Sequence, residues 1–563
     1  MKCSIAFLAG VAFVFALGFL ALAVRLYQIQ IVDAGNAGKD FSLQSTRIMQ
    51  TPGLRGRILD RKGRVLAGER VRRDLVCRPE AVKSTTIPNA VLTLEREIGR
   101  AMNLIDAPNR ITAERVMRHL KRESAVPLTV FEGLDETRFA RLQERHADFP
   151  AFDVEIRGVR DYPYGSLAAH VLGHVGQERP NAETGDQKIH YYDKEATGRA
   201  GLEAYYNRYL SGVSGETKVR VNARGFAVDD EIARKPVDGI DLATTLDVEW
   251  QYALERELAG VTGAGVVLDA RTGAIRAIAS SPTFDPNHYQ TGVPEFNKAL
   301  SGTYAPGSTF KPIVALAALE RGWDTNTVLS CDGVYMQTKC TARWGHGPIN
   351  LNEAIRESCN SFFLQLGIAA GGEAVLEMAR LFGLGEKSGV DLGGEADGNL
   401  GPWTFQSAMG QGPLLVTPLQ MAVVAAALGN GGRVFRPFLH TTSKATPSPV
   451  RTVNAKPENL AAIRHAMKAV VDVGSARKAF HPIVGGKRRR LRVDAGGKTG
   501  SAEKASAAGR YKNTWVIAFA PFDDPEVAVA MVVEHGEFGG TTVAPRVYNI
   551  LKRFYGETED VRK

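Results

Sequence analysis

The chain has 563 residues, 44% apolar and 23% charged, an ordinary globular composition that admits two or more domains with full cores and excludes disordered and collagen-like classes. Lys and Arg number 70 against 61 Asp and Glu, leaving a net charge of +9 that suits an anionic partner. The densest basic cluster, Lys487, Arg488, Arg489, Arg490 and Arg492, has no aromatic residues interleaved, so it is expected to be a solvated loop and no nucleic-acid groove is expected.

Residues 5–24 carry no charge, and about 20 residues at ~1.5 Å each cover a bilayer core of ~30 Å. The run is longer than the h-region of a signal peptide, so it is expected to stay as a membrane anchor behind a cytoplasmic stub of residues 1–4. Ala21-Leu22-Ala23 imitates a cleavage site and keeps the signal-peptide alternative open. Either way the rest of the chain is exported.

Residues 40–235 read as an accessory region. Ile58-Leu59 and Val65-Leu66 flank the Asp60-Arg61-Lys62-Gly63 turn as a hairpin, and helix and strand patterns alternate beyond it, with a polar stretch at 177–188. Residues 236–563 form a second region. Asp247 is placed to cap a helix, 263–280 folds as a hairpin around Arg271-Thr272-Gly273, and 352–384 is helical. Near the C-terminus two strands flank Asp523-Asp524-Pro525. Strands early and late with helices between predict one sheet closed by distant segments, an α/β (α+β) arrangement.

Pro306-Gly307 ends a loop and Ser308 begins a helix in which Lys311, three positions on, shares its face. A serine hydroxyl needs a neighbouring base to become a nucleophile, and a lysine of lowered pKa can serve. That spacing recurs at Ser475/Lys478 and Ser501/Lys504, so alone it says little. What distinguishes Ser308 is the later company of Ser358 with Asn360 in "ESCNS" and Lys498-Thr499-Gly500 in "GGKTGS". Lys387-Ser388-Gly389 imitates the last piece in a helix-to-loop setting.

These three motifs, in this order, resemble those of β-lactamases and penicillin-binding proteins. "RGRILDRKGRVLA", "RDYPYGSLAAHVLGHVG", "VLDARTGAIRAIASSPTFDPN" and "GQGPLLVTPLQMA" extend the resemblance to class B penicillin-binding proteins, and "YPYG", "RWGHG" and "MGQG" to the cell-elongation type; the division type is the alternative. The resemblance implies a penicillin-binding transpeptidase domain with an antiparallel sheet and a helical lobe, preceded by a pedestal domain and one transmembrane helix. It implies a peptidoglycan D,D-transpeptidase that binds β-lactams and acts on stem peptides ending in D-Ala-D-Ala. Ser308 is then the nucleophile, Lys311 its base, and Ser358 a proton relay. Asn360 holds Lys311 and substrate. Lys498 is a cation that lowers the pKa of Lys311 and, with Thr499, binds the terminal carboxylate. Gly500 leaves room for substrate, and the backbone of Ser501 joins that of Ser308 as oxyanion donor.

The same resemblance implies an inner-membrane, single-pass protein with its catalytic domain in the periplasm, a SEDS-type glycan polymerase and other elongation-complex proteins as partners, and no cofactor for the chemistry. A class D β-lactamase and a β-lactam sensor are the competing functions. "STFK" fits the first, but the anchor, the accessory region and Asn360 do not; the second needs a cytoplasmic signalling domain.

Cys331 and Cys340 pair by default as a disulfide in an exported chain. Cys331, Cys340, His346 and Cys359, within 29 positions, are equally a complete donor set for structural zinc, and the resemblance to elongation-type relatives, some of which carry a metal-binding cluster at these positions, implies the same here.

Overall fold

The computed structural model describes residues 2–32, 46–81, 86–178, 191–192, 195–222, 226–441, 447–506 and 509–560. Most of the polar stretch at 177–188 and the start of the accessory region at 40–45 lie outside the described residues.

The N-terminal helix runs Lys2–Tyr27, longer at both ends than the 5–24 apolar run, because Lys2 and Arg25 do not break a helix that hydrophobicity alone delimits. Ala9–Tyr27 is long and apolar enough to cross a membrane.

The accessory region has two cores. In the outer one, strands Val65–Cys77, Leu128–Phe131 and Phe152–Asp161 pair antiparallel and carry the amphipathic helices Ile87–Leu104 and Ala113–Arg122. The inner one is continuous with the core of the second region through Ile58, Leu66, Leu172 and Leu202. The 58–66 hairpin forms as expected, and Leu242–Ala243 adds parallel to Ile58–Leu59. The junction is held by a buried ion network: Glu203, fully buried, takes Arg55 Nε at 2.7 Å and Arg160 Nε at 2.6 Å.

The second region is built on a five-stranded antiparallel sheet. We number its strands β1 (Gly263–Asp269), β2 (Ile275–Ser281), β3 (Gly496–Ser506), β4 (Gly509–Ala520) and β5 (Val527–Val533). Their spatial order is β2-β1-β5-β4-β3, with all neighbours antiparallel, so β1 pairs with a strand from the far end of the chain, Gly263 opposite Val533, and distant segments close one sheet. Every residue of "VAVAMVV" in β5 is buried. An uninterrupted apolar strand is what a sheet covered on both faces demands. Helices Pro418–Gly429 and Pro457–Asp472 pack on the sheet, as do Val248–Leu258, which Asp247 caps, and Ala544–Tyr555, which lies on that helix. The helical lobe is Lys311–Glu320, Leu351–Arg356, Asn360–Ala370 and Gly372–Leu381. The expected helix over 352–384 is therefore broken twice, first at Ser358-Cys359.

The basic cluster is not a loop. Lys487–Leu491 is a strand paired with Glu557–Glu559, which neutralises part of its charge.

Candidate active site

Ser308 sits in a 3-10 turn, Gly307–Phe310, which runs directly into the helix Lys311–Glu320. Residues three apart eclipse in a 3-10 turn, so Ser308 and Lys311 stay on one side. Pro312 is in the first helical turn, where its missing N–H costs nothing. The turn is fastened from several directions: Gly307 N–H donates to Gly410 O at 2.8 Å, Thr309 Oγ1 to Pro306 O at 2.7 Å, and Trp515 Nε1 to Ala305 O at 3.0 Å. "MGQG" and β4 thus hold the loop bearing Ser308.

Lys311 is completely buried. Its Nζ donates to Ser358 O at 2.7 Å, Asn360 Oδ1 at 2.8 Å and Ser358 Oγ at 3.4 Å, and among the described residues none of its bonds goes to Ser308. Burial holds the Lys311 amine down to about 8, with the neighbouring cysteines pulling the other way. Lys498, also fully buried, reaches the same group from β3: its Nζ donates to Ser358 Oγ at 2.9 Å and Thr499 O at 2.9 Å. Burial, and then the adjacent Lys311 charge, push Lys498 well below the usual lysine range. Burial is therefore the cause of the lowered Lys311, where a charge effect from Lys498 was expected. Lys498 also has no exposed surface to offer a carboxylate.

Ser358 explains the break in the helices. Its φ is +59°, a conformation rare for residues with a side chain and costly unless the surroundings impose it. In it, the carbonyl faces Lys311 and the hydroxyl faces both lysines. Asn360 opens the next helix, and its Nδ2 donates to Lys339 O at 3.0 Å, tying the site to the 331–346 loop.

The strand β3 lies against the turn that carries Ser308. A Cβ on Gly500 would meet Pro306 O at 2.9 Å and Thr309 Cγ2 at 3.0 Å, so this glycine is required by the turn beneath it, not only by space for substrate. A Cβ on Gly307 would meet Ser501 O at 2.9 Å, so Ser308 and Ser501 flank one narrow contact. Ser501 Oγ accepts from Gly539 N–H at 3.1 Å. The Thr499 hydroxyl bonds Ser475 Oγ at 2.6 Å. In the sequence Ser475 only repeats the spacing of Ser308, and a partner 24 positions away leaves no local signal. Lys387 faces Asp397 at 3.8 Å and Ser388 bonds Glu395, away from this site.

Cys331, Cys340, His346 and Cys359 have their ligand atoms within 4.8 Å of one another. Cys331 Sγ and Cys340 Sγ each lie 3.5 Å from His346 Nδ1, and Cys340 Sγ is 3.7 Å from Cys359 Sγ. All three cysteines are free thiols, so the expected Cys331–Cys340 disulfide is not formed. The set sits at the N-terminus of the helix Asn360–Ala370, where Asn360 N–H reaches Cys340 Sγ and Phe362 N–H reaches Cys359 Sγ, both at 3.4 Å. These donors favour thiolate. The four side chains could hold one metal ion.

The penicillin binding protein transpeptidase domain matches residues 263–552, and the penicillin-binding protein dimerisation domain matches 50–244. The chain is 30% identical to peptidoglycan D,D-transpeptidase MrdA of Acinetobacter baumannii, over 93% of this chain and 83% of that one. It is also 30% identical to stage V sporulation protein D of Bacillus subtilis, over 95% and 83%. A solved structure described as structural coordination of polymerization and crosslinking by a peptidoglycan synthase complex aligns with TM-score 0.71 and 28% identity, over 99% of both chains.

Proposed function

The chain belongs to the penicillin-binding protein transpeptidase family, and from that membership we propose how its residues divide the work of a peptidoglycan D,D-transpeptidase of the elongation type. The observation that carries the proposal is the convergence on Ser358 of two buried lysines from distant segments, Lys311 and Lys498, beside the turn that presents Ser308.

Ser308 Oγ attacks the penultimate carbonyl of a D-Ala-D-Ala stem peptide, and its proton passes to neutral Lys311. With a pKa of about 8, roughly a tenth of the enzyme holds that free base at neutral pH. The N–H groups of Ser308 and Ser501 receive the oxyanion. Collapse breaks the C–N bond, and Ser358, hydrogen-bonded to both lysines, delivers the proton to the departing D-Ala amine. An amine from another stem peptide then attacks the ester, loses a proton to Lys311 and returns Ser308 to its hydroxyl. Asn360 fixes Lys311. Thr499, oriented by Ser475, takes the terminal carboxylate, while Gly500 keeps β3 seated on the turn.

The cysteine and histidine cluster we assign as a structural zinc site. A tetrahedron with Zn–S of ~2.3 Å and Zn–N of ~2.0–2.1 Å has edges of roughly 3.5–3.8 Å; the three contacts of 3.5, 3.5 and 3.7 Å support the assignment. Such an ion would tie the 331–346 loop to the helix that begins at Asn360 and supply no step of the reaction. The N-terminal helix anchors the chain in the cytoplasmic membrane with residues 46–560 on the outer side, and a glycan polymerase of the SEDS type is its partner in the synthase. The working boundary between pedestal and transpeptidase is 235/236.

Supplying uncrosslinked glycan strands to the full-length enzyme tests this reading. Crosslinked dimers should appear with wild type and be absent with Ser308→Ala. Release of free D-Ala without dimers would make the enzyme a hydrolase instead.

A further inference from the structure

A cleft of about 930 Å³ opens in the accessory region, away from Ser308. One wall is the helix Ala113–Arg122, and strands Val65–Cys77 and Phe152–Asp161 supply much of the rest. Arg115, Arg118 and Arg122 line it from positions i, i+3 and i+7, one face of the helix. All three are exposed, and among the described residues none pairs with an acid; Arg115 reaches only the Thr129 carbonyl at 3.4 Å. On the floor, Arg160 is 7% exposed and gives Nε to Glu203 and Nη1 to Gly56 O, while Nη2 is buried with no partner. Glu69 Oε2, in the same cleft, is also buried and unpartnered. Of the other lining carboxylates, Glu123 lies 3.5 Å from His119, and Glu132 and Glu155 are taken up by Arg72 and Arg157. Built-in polar groups of both signs thus face a cavity with a surplus of positive charge.

We propose that this cleft is a second peptidoglycan site, which holds stem peptides of the glycan strand while others on that strand react at Ser308. The inference rests on the transpeptidase reading above. A rise of ~1.5 Å per residue spreads the three guanidinium groups over ~10 Å along the helix, and an extended peptide spans that distance in about three residues. A ligand with carboxylates at separate points matches this row; a compact phosphate would engage one or two arginines and leave the others idle. The unpartnered carboxylate oxygen of Glu69 asks for a donor, and an uncrosslinked strand offers amines as well as carboxylates, because every acceptor peptide carries the one and every donor ends in the other. The volume accommodates several residues of chain.

The test uses full-length protein in detergent, with Ser308 first acylated by benzylpenicillin so that the active site is closed. Soluble uncrosslinked glycan strands are titrated against wild type and Arg115→Gln/Arg118→Gln/Arg122→Gln. The triple variant should bind at least tenfold more weakly and with a shallower salt dependence, and Lys at all three positions should restore part of the affinity. Amidating the strand carboxylates should weaken binding to wild type by a similar factor. Equal affinity of wild type and the Gln variant overturns the proposal. So does capture of inorganic pyrophosphate or anionic-lipid vesicles through these arginines with strands bound no better, which would make the ligand a phosphate. The rate of benzylpenicillin acylation should be the same in both proteins; absence of any adduct in wild type would defeat the transpeptidase reading itself.

Discussion

Ser358 shows how much chemistry one backbone conformation can carry. At φ +59° it turns its carbonyl toward Lys311 and its hydroxyl toward both lysines, and burial then holds Lys311 near the pKa a general base needs. Acylation by penicillin should accordingly accelerate as pH rises from 6 and level off above about 8, because only the unprotonated amine accepts the Ser308 proton. A flat profile measured by stopped-flow would remove Lys311 from that role. Gly500 makes a second case. A methyl group there meets backbone of the nucleophile turn at 2.9 Å, so Gly500→Ala should cost about 1–3 kcal/mol of stability and slow acylation on the order of tenfold or more, read by thermal melting and by adduct formation. That Lys311, Ser358, Asn360 and Lys498 come together beside the turn carrying Ser308 was legible in the sequence because three short motifs stand in fixed order. Their division of labour was not. That Lys498 is sealed from the cleft, and that Thr499 leans on Ser475, depends on tertiary packing that no local pattern records.

Among the elements, the helix Asn360–Ala370 joins two sites at its first turn. Cys359 caps it, Cys340 accepts its first N–H, and Asn360 holds Lys311. Anything that loosens the cysteine cluster should therefore be felt at the base. Protein purified without a metal-affinity tag is expected to contain about one zinc per chain by elemental analysis. Chelation, or Cys340→Ser, should lower the melting temperature and the acylation rate together; a stability loss with unchanged acylation would separate the two sites. The hairpins at 58–66, 263–281 and 509–533 were readable because turn residues separate strongly apolar runs. The helix break at Ser358-Cys359 was not, since nothing in "ESCNS" except its function requires a left-handed serine.

At the scale of the whole molecule, the pedestal is continuous with the catalytic region through a shared apolar core and the Arg55–Glu203–Arg160 network. Removing one member of a buried ion network leaves charge uncompensated, so Glu203→Gln should destabilise the protein by about 3–5 kcal/mol, with both regions losing protection together in hydrogen exchange. Loss confined to the pedestal would mean that the two are not mechanically joined. The alternation of elements foretold a sheet closed by distant segments, and its order and the double covering of β5 follow from where "VAVAMVV" can be buried. The buried network was invisible, because Arg55, Arg160 and Glu203 come from three separate motifs. Ser308 is expected to form a persistent acyl-enzyme. Peptide mapping by mass spectrometry of the full-length protein after benzylpenicillin treatment tests it most directly: a single penicilloyl adduct on the peptide containing Ser308, stable for many minutes, is the predicted result. An adduct on Ser475 or Ser501, or one released within seconds, would contradict it.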